Sequence, residues 1–251
     1  MVEPVPLKPA ASVPEHVAIL GLGPSVTQWL ELTKRHGGRY ADEVWSINAL
    51  GDVFRCDRVF HMDDVRIQEI RAGARPDSNI ARMLGWLKRH PGPIYTSRRH
   101  SDYPGLVDFP LRDVVNAFGQ AYFNSTAAYA VAFAVYIGVK KISCYGFDFT
   151  YPNAHHAEKG RACVEFWLGV AVSRGIEVRV PHVSSLMDAC ERRLYGYDTL
   201  DVTFDRTPAG GIDVRFAERA EMPTADEIEA MYDHSAHPSP LVRAEEERAA
   251  A

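Results

Sequence analysis

"VAILGLGPSVTQWL", residues 17–30, decides how this chain is read. A short apolar run breaks into Gly21-Leu22-Gly23-Pro24-Ser25 and then resumes with helical spacing. Parallel strands buried on both faces read as continuous apolar runs, so residues 17–22 predict a strand. Pro24 suits the first turn of a helix, which runs to about Lys34 and stops at Gly37-Gly38. A glycine turn between strand and helix often holds a phosphate on helix-terminal N–H groups. It also occurs where a chain simply turns sharply. The stretch is not GxGxxG, because Thr27 stands near the place of the third glycine. It is not a Walker loop either, because no GK[ST] follows. Phosphate cradle and plain turn both stand.

Working outward, the alternation repeats. EVWSIN (43–48) and DRVFHM (57–62) read as strands, 64–73 and 78–90 as helices, and PIYTS (93–97) as a short strand. A loop-rich stretch follows. STAAYAVAFAVYIGV (125–139) is then a helix with small apolar residues nearly all the way round, as expected when it is buried against a sheet. KISCYGFDF (141–149), RACVEFWLGVAVSRG (161–175) and IEVRVP (176–181) read as strand, helix, strand. The order predicts an α/β fold, a Rossmann-like, doubly wound and mostly parallel sheet over residues 16–195.

After residue 195 the texture changes. LDVTF (200–204) and IDVRF (212–216) flank DRTPAGG as a β-hairpin, and Thr224 and Glu227 are spaced as a capping box for a short helix. The tail PSPLVRAEEERAAA is polar and is expected to fray. Residues 196–251 thus read as a small C-terminal appendage, and residues 1–15, with four prolines, as a flexible arm and not a signal peptide.

Composition excludes several classes. The 251 residues, 46% hydrophobic, suit one large domain with an appendage. No stretch approaches the roughly 18 apolar residues of a membrane span. Cys56, Cys144, Cys163 and Cys190 lie far apart with no CxxC pair, which reads as a reduced, cytoplasmic protein without structural zinc. The net charge of −5 argues against a broad nucleic-acid-binding surface, although Arg98-Arg99-His100 and Arg192-Arg193 leave room for a local basic groove.

Ligands of open α/β sheets bind outside the carboxyl ends of the strands. Residues there are Ser25, with a hydroxyl expected to be free beside helix-terminal N–H groups, and Asn48, either a ribose or base contact or a turn former. Asp63 and Asp64 either hold a divalent cation such as Mg²⁺ with a diphosphate or cap the next helix. Ser125 and Thr126 open the buried helix, as cap, phosphate contact or both. Gly146 and Asp148 end the strand KISCYGFDF. His155 and His156 fall in a loop before the next helix, where an imidazole suits general base work or is merely exposed.

The ordered set "ILGLGPSV", "EVWSIN", "FNSTAAYAVAFAVYIGVKKISCYGFDF" and then "HH" ten residues before "EF" resembles the bacterial sialyltransferases of glycosyltransferase family 42. The Gly-Pro-Ser element is similar to that of the wider DUF115 and MptE-like group, which includes a pterin pyrophosphokinase and bacteriophage proteins. The resemblance implies a GT-A-type fold. It also implies a nucleotide pocket lined by Gly21, Gly23, Pro24, Ser25, Asn48, Ser125 and Thr126, with Gly146 and Asp148 beside the sugar. His155 would be the base that deprotonates the acceptor, with His156 next to it. Leu22, Phe123 and Thr150 depart from the family's residues at their places. The activity so implied is transfer of a sugar from a nucleotide-activated donor to an acceptor hydroxyl, a hydroxymethylated DNA base among the candidates, by a protein in the cytoplasm of a host cell. A homo-oligomer fits the same picture. The rivals are a Mg²⁺-dependent pyrophosphokinase using Asp63 and Asp64, and a non-catalytic nucleotide-binding phage module.

Overall fold

The computed structural model describes residues 13–37, 40–149, 154–189, 194–231 and 240–250. Seven strands form one sheet, and every neighbouring pair is parallel. In chain order they are β1 (His16–Leu20), β2 (Glu43–Ile47), β3 (Arg58–Phe60), β4 (Ile94–Thr96), β5 (Leu106–Asp108), β6 (Lys141–Tyr145) and β7 (Glu177–Arg179). The spatial order is β5-β4-β3-β2-β1-β6-β7. The winding therefore reverses between β1 and β6, and a crevice opens where the direction switches.

Period-2 alternation sends the strand residues to two cores. On one face Ala18, Leu20 and Tyr145 pack on Trp29 of α1 (Val26–Arg35). Farther along that face Val59 and Ile94 meet α2 (Val65–Ala74) and α3 (Asn79–Leu87) through Val65, Leu84 and Leu87. On the other face Val17, Ile19, Trp45, Phe60 and Cys144 bury α5 (Thr126–Ile137) and α6 (Ala154–Ser173). The all-round apolar surface of α5 has its explanation here, because sheet, α4 (Leu111–Phe118) and α6 all lie against it.

The expected α/β fold is present, with three differences from the sequence reading. The stretch read as loop holds β5 and α4. The strand read to Phe149 ends at Tyr145, because Gly146 turns the chain with φ +76°. α6 begins at Ala154, seven residues before the expected start, and so takes in the histidine pair. A separate antiparallel ribbon follows, β8 (Leu200–Arg206) with β9 (Ile212–Glu218), then α7 (Ala225–Met231) and α8 (Pro240–Ala250). The capping box at α7 is formed, with Thr224 N donating to Glu227 Oε2 at 2.8 Å and Glu227 N donating to Thr224 Oγ1 at 3.3 Å. Within the tail expected to fray, α8 has Pro240 at its first position. Among the described residues no helix is long and apolar enough to cross a membrane.

Candidate functional site at the carboxyl edge of the sheet

The glycine turn after β1 and the turn after β6 close on each other. Gly21 N donates to Tyr145 O at 2.7 Å and Gly23 N to Gly146 O at 2.8 Å. In return Gly146 N donates to Ser25 Oγ at 2.8 Å, and Ser25 N donates to Asp148 Oδ2 at 2.8 Å. A Cβ on Gly21 would lie 2.4 Å from Gly146 O, and one on Gly146 would lie 2.2 Å from Gly21 O. The glycines are thus required by the approach of one turn to the other. This corrects the expectation of a free hydroxyl at Ser25, which is fully buried and engaged. Pro24 starts the helical turn, its carbonyl accepting from Thr27 N.

Asp148 is the chemically open member of this cluster. It is 1% exposed, and among the described residues its Oδ1 has no hydrogen-bond partner. Its main-chain carbonyl accepts from Ser185 Oγ at 2.8 Å, which ties the turn to the segment after β7. A buried carboxylate oxygen without a donor is costly, so a ligand hydroxyl or N–H at that point would be stabilising.

Beside the switch point, Asn48 adopts φ +52° at the end of β2. Its Oδ1 lies 3.1 Å from His61 Nδ1, so that Nδ1 carries the proton and the Asn48 amide N–H groups are directed elsewhere. His61 is 1% exposed, and burial pushes its pKa below the usual 6.5, against a smaller opposing pull from Asp63. Burial thus favours the neutral ring, in which Nε2 is a lone-pair acceptor, and that atom has no partner among the described residues. The pairings of β2 with β3 and β3 with β4 put Asn48, His61 and Thr96 side by side one residue beyond the last partners. Thr96 Oγ1 is buried too, and has no partner among the described residues. Sequence reading weighed only the carboxylates after β3; the signal it passed over was a histidine directly following an apolar strand.

Asp64 caps α2. Its Oδ1 accepts from Arg66 N at 2.9 Å and from His100 Nε2 at 3.1 Å. The Arg66 N–H, seconded by His100, holds its carboxyl below the usual carboxylate range. Asp63 is exposed, and among the described residues no group of three His, Cys, Asp or Glu side chains could hold a metal ion. As a Mg²⁺ centre the pair offers Asp63 and one oxygen of Asp64, and a diphosphate would have to supply most of the coordination.

At the start of α5, Ser125 Oγ accepts from Ala128 N at 3.3 Å, the expected cap, and lies 3.6 Å from Cys163 Sγ of α6. Thr126, partly buried, is the first helical residue. His155 and His156 sit in the first turn of α6, not in a loop, and both are exposed. Phe149, at φ +46°, lays its ring where a Cβ on Gly160 would be, 2.8 Å from a ring carbon, and so joins the end of β6 to α6. Thr150 and Tyr151 fall outside the described residues, as do Cys190 and the Arg192-Arg193 pair. An open groove of about 440 Å³ between α1 and the start of β2 contains none of these residues.

No protein-family model and no curated protein matches the chain. Among solved structures it is similar to a sialyltransferase, CstII from Campylobacter jejuni, in complex with the substrate analogue CMP-3FNeuAc. The identity is 15% over 86% of this chain and 98% of that one, with a TM-score of 0.42. The same enzyme with cytidine-5'-monophosphate gives 14% identity over the same shares and a TM-score of 0.40.

Proposed function

We propose that this chain is a glycosyltransferase that seats a nucleotide-activated sugar across the carboxyl ends of β1, β2 and β6 and passes the sugar to an acceptor hydroxyl. The observation that carries the reading is Asp148, a buried carboxylate at the switch point with one oxygen lacking a donor among the described residues. A ribose or sugar hydroxyl would supply it. Asn48, its oxygen held by His61, offers amide N–H groups to an acceptor on the nucleotide. Ser125 and Thr126 stand at the positive end of α5, where a leaving phosphate is stabilised. The order of motifs along the chain, which resembles that of family 42, agrees with these assignments.

In the transfer, the acceptor oxygen forms a bond to the anomeric carbon while the bond from that carbon to the donor's phosphate oxygen breaks. The nucleotide leaves with the electron pair, and the acceptor proton passes to an imidazole, which we assign to His155 with His156 beside it. General base help of this kind is worth about 10²–10⁴-fold.

The test is a thermal-shift panel of CMP, CDP, UDP, GDP and ATP, with and without Mg²⁺. A ligand at about 100 times its dissociation constant stabilises the native state by about 2.7 kcal/mol. A shift with one nucleoside mono- or diphosphate that weakens in Asn48→Ala supports the reading. So does hydrolysis or transfer of the matching sugar donor, tested with hydroxymethylated DNA among the acceptors, that is lost in His155→Ala. A shift confined to ATP with Mg²⁺ and dependent on Asp63 would replace it with the pyrophosphokinase. No shift with any nucleotide would overturn it.

A further inference from the structure

The ribbon β8–β9 has two unlike faces. The register pairs Leu200 with Glu218, Val202 with Phe216 and Phe204 with Val214. One face therefore collects Leu200, Val202, Phe204, Ile212, Val214 and Phe216, with Glu218 opposite Leu200 at one end, since alternate residues share a side. The other collects Asp201, Asp205, Asp213 and Arg215. On that second face the charges satisfy one another. Arg215 pairs with Asp205 and with Asp213, the latter at 3.1 Å, and Arg219, just past the strand, pairs with Asp201 at 3.1 Å. It is a finished solvent face.

The apolar face is not finished. Phe204 is 55% exposed, Ile212 65%, Val214 43% and Phe216 55%, with the rest of the described chain in place. Tyr197 extends the patch by stacking on Phe216, ring centroids 5.9 Å apart. A lone two-stranded hairpin is marginal in water, and a third or fourth strand or a packed face is needed to steady it. The largest apolar patch on a typical monomer spans about 300–600 Å² and is often functional.

We propose that this face is a homodimer interface, in which the ribbons of two copies pack apolar face to apolar face. The area favours a second copy as the occupant. The exposed parts of these side chains amount to roughly 500 Å² per copy, so that a symmetric pair would bury on the order of 1,000 Å², the size at which a specific interface begins. A two-fold contact needs one self-complementary patch, and a patch free of charge at its centre meets its own copy without stranding an ion. Two ribbons stacked this way make a four-stranded sandwich with the usual spacing of about 10 Å.

Sedimentation equilibrium tests it on the full chain at micromolar concentration. The expected result is a mass twice the 28.0 kDa of the chain, falling to the monomer in the double variant Phe204→Asp with Phe216→Asp. Because the substituted side chains lie outside the main core, the circular dichroism and main thermal transition should stay as in the parent. A second readout does not depend on those substitutions: Val214→Cys should form an intermolecular disulfide on oxidation, and Thr203→Cys, on the charged face, should not. A monomeric parent chain would overturn the proposal. A dimer unchanged in the double variant would do so too, because its interface would lie elsewhere.

Discussion

The ends of β1 and β6 and the ends of β2, β3 and β4 lie along the same edge of one sheet, yet they are built on opposite plans. At β1 and β6 the turns interlock, and the amides of Gly21, Gly23, Ser25 and Gly146 all donate within the protein. At β2–β4 the row Asn48, His61, Thr96 keeps buried polar atoms without partners among the described residues. A glycine-rich turn at a switch point need not be a ligand cradle; here its glycines serve the fit of two loops. In the proposed reading, recognition falls to Asp148 Oδ1, the open oxygen of the clamp, and to the Asn48 amide.

Substitutions at the clamp should therefore act on stability first, and substitutions along the row on binding. The largest effect is expected for Gly146→Ala, which places a Cβ 2.2 Å from a carbonyl oxygen at φ +76°. Strain and overpacking together should cost about 3 kcal/mol or more in urea denaturation. Ser25→Ala leaves Gly146 N buried without its acceptor and should cost about 1–3 kcal/mol, while nucleotide-induced stabilisation persists. A Ser25→Ala protein of parental stability that no longer responds to nucleotide would break the comparison. Asn48→Ala should do the reverse in emphasis and weaken nucleotide binding about tenfold, the equivalent of one hydrogen bond, by calorimetric titration.

The neutral His61 gives a pH signature with a definite sign. Its folded pKa lies below 6.5, so between that value and 6.5 the unfolded chain binds a proton that the native state refuses. Stability should fall as pH drops through this window and level off above it. Burial lowers His16 and His90 in the same direction, so His61→Gln should flatten the dependence only in part. The smallest effect is expected at Thr224→Ala. Loss of the capping box should speed amide exchange in the first turn of α7 by an amount equivalent to about 1 kcal/mol and leave the main unfolding transition in place.

The alternation of strand and helix was legible because the central strands are buried over most of their length and so read as apolar runs. β5 escaped notice because Leu106–Asp108 follows directly on the polar, turn-forming run SRRHSDYPG. α4 was better signalled than its neighbours suggested, with Pro110 before it and Gly119 closing it at φ +67°. α6 hid its first two turns behind the polar sequence AHHAEKG, whose Gly160 looks like a breaker and is instead the place where Phe149 packs. Site positions were legible as strand ends. What each side chain does there was not, because Ser25, Gly146 and Asp148 find one another across more than 100 residues of chain.

The central place of β1 has a consequence for how the protein is made. Its first neighbour, β2, follows within thirty residues, but its second, β6, is the segment Lys141–Tyr145. Until a ribosome has released that segment, the nascent chain carries an unpaired edge along its most apolar strand, and contacts of such sequence separation form slowly. During synthesis, the first half of this sequence is the part that a chaperone would have to shield.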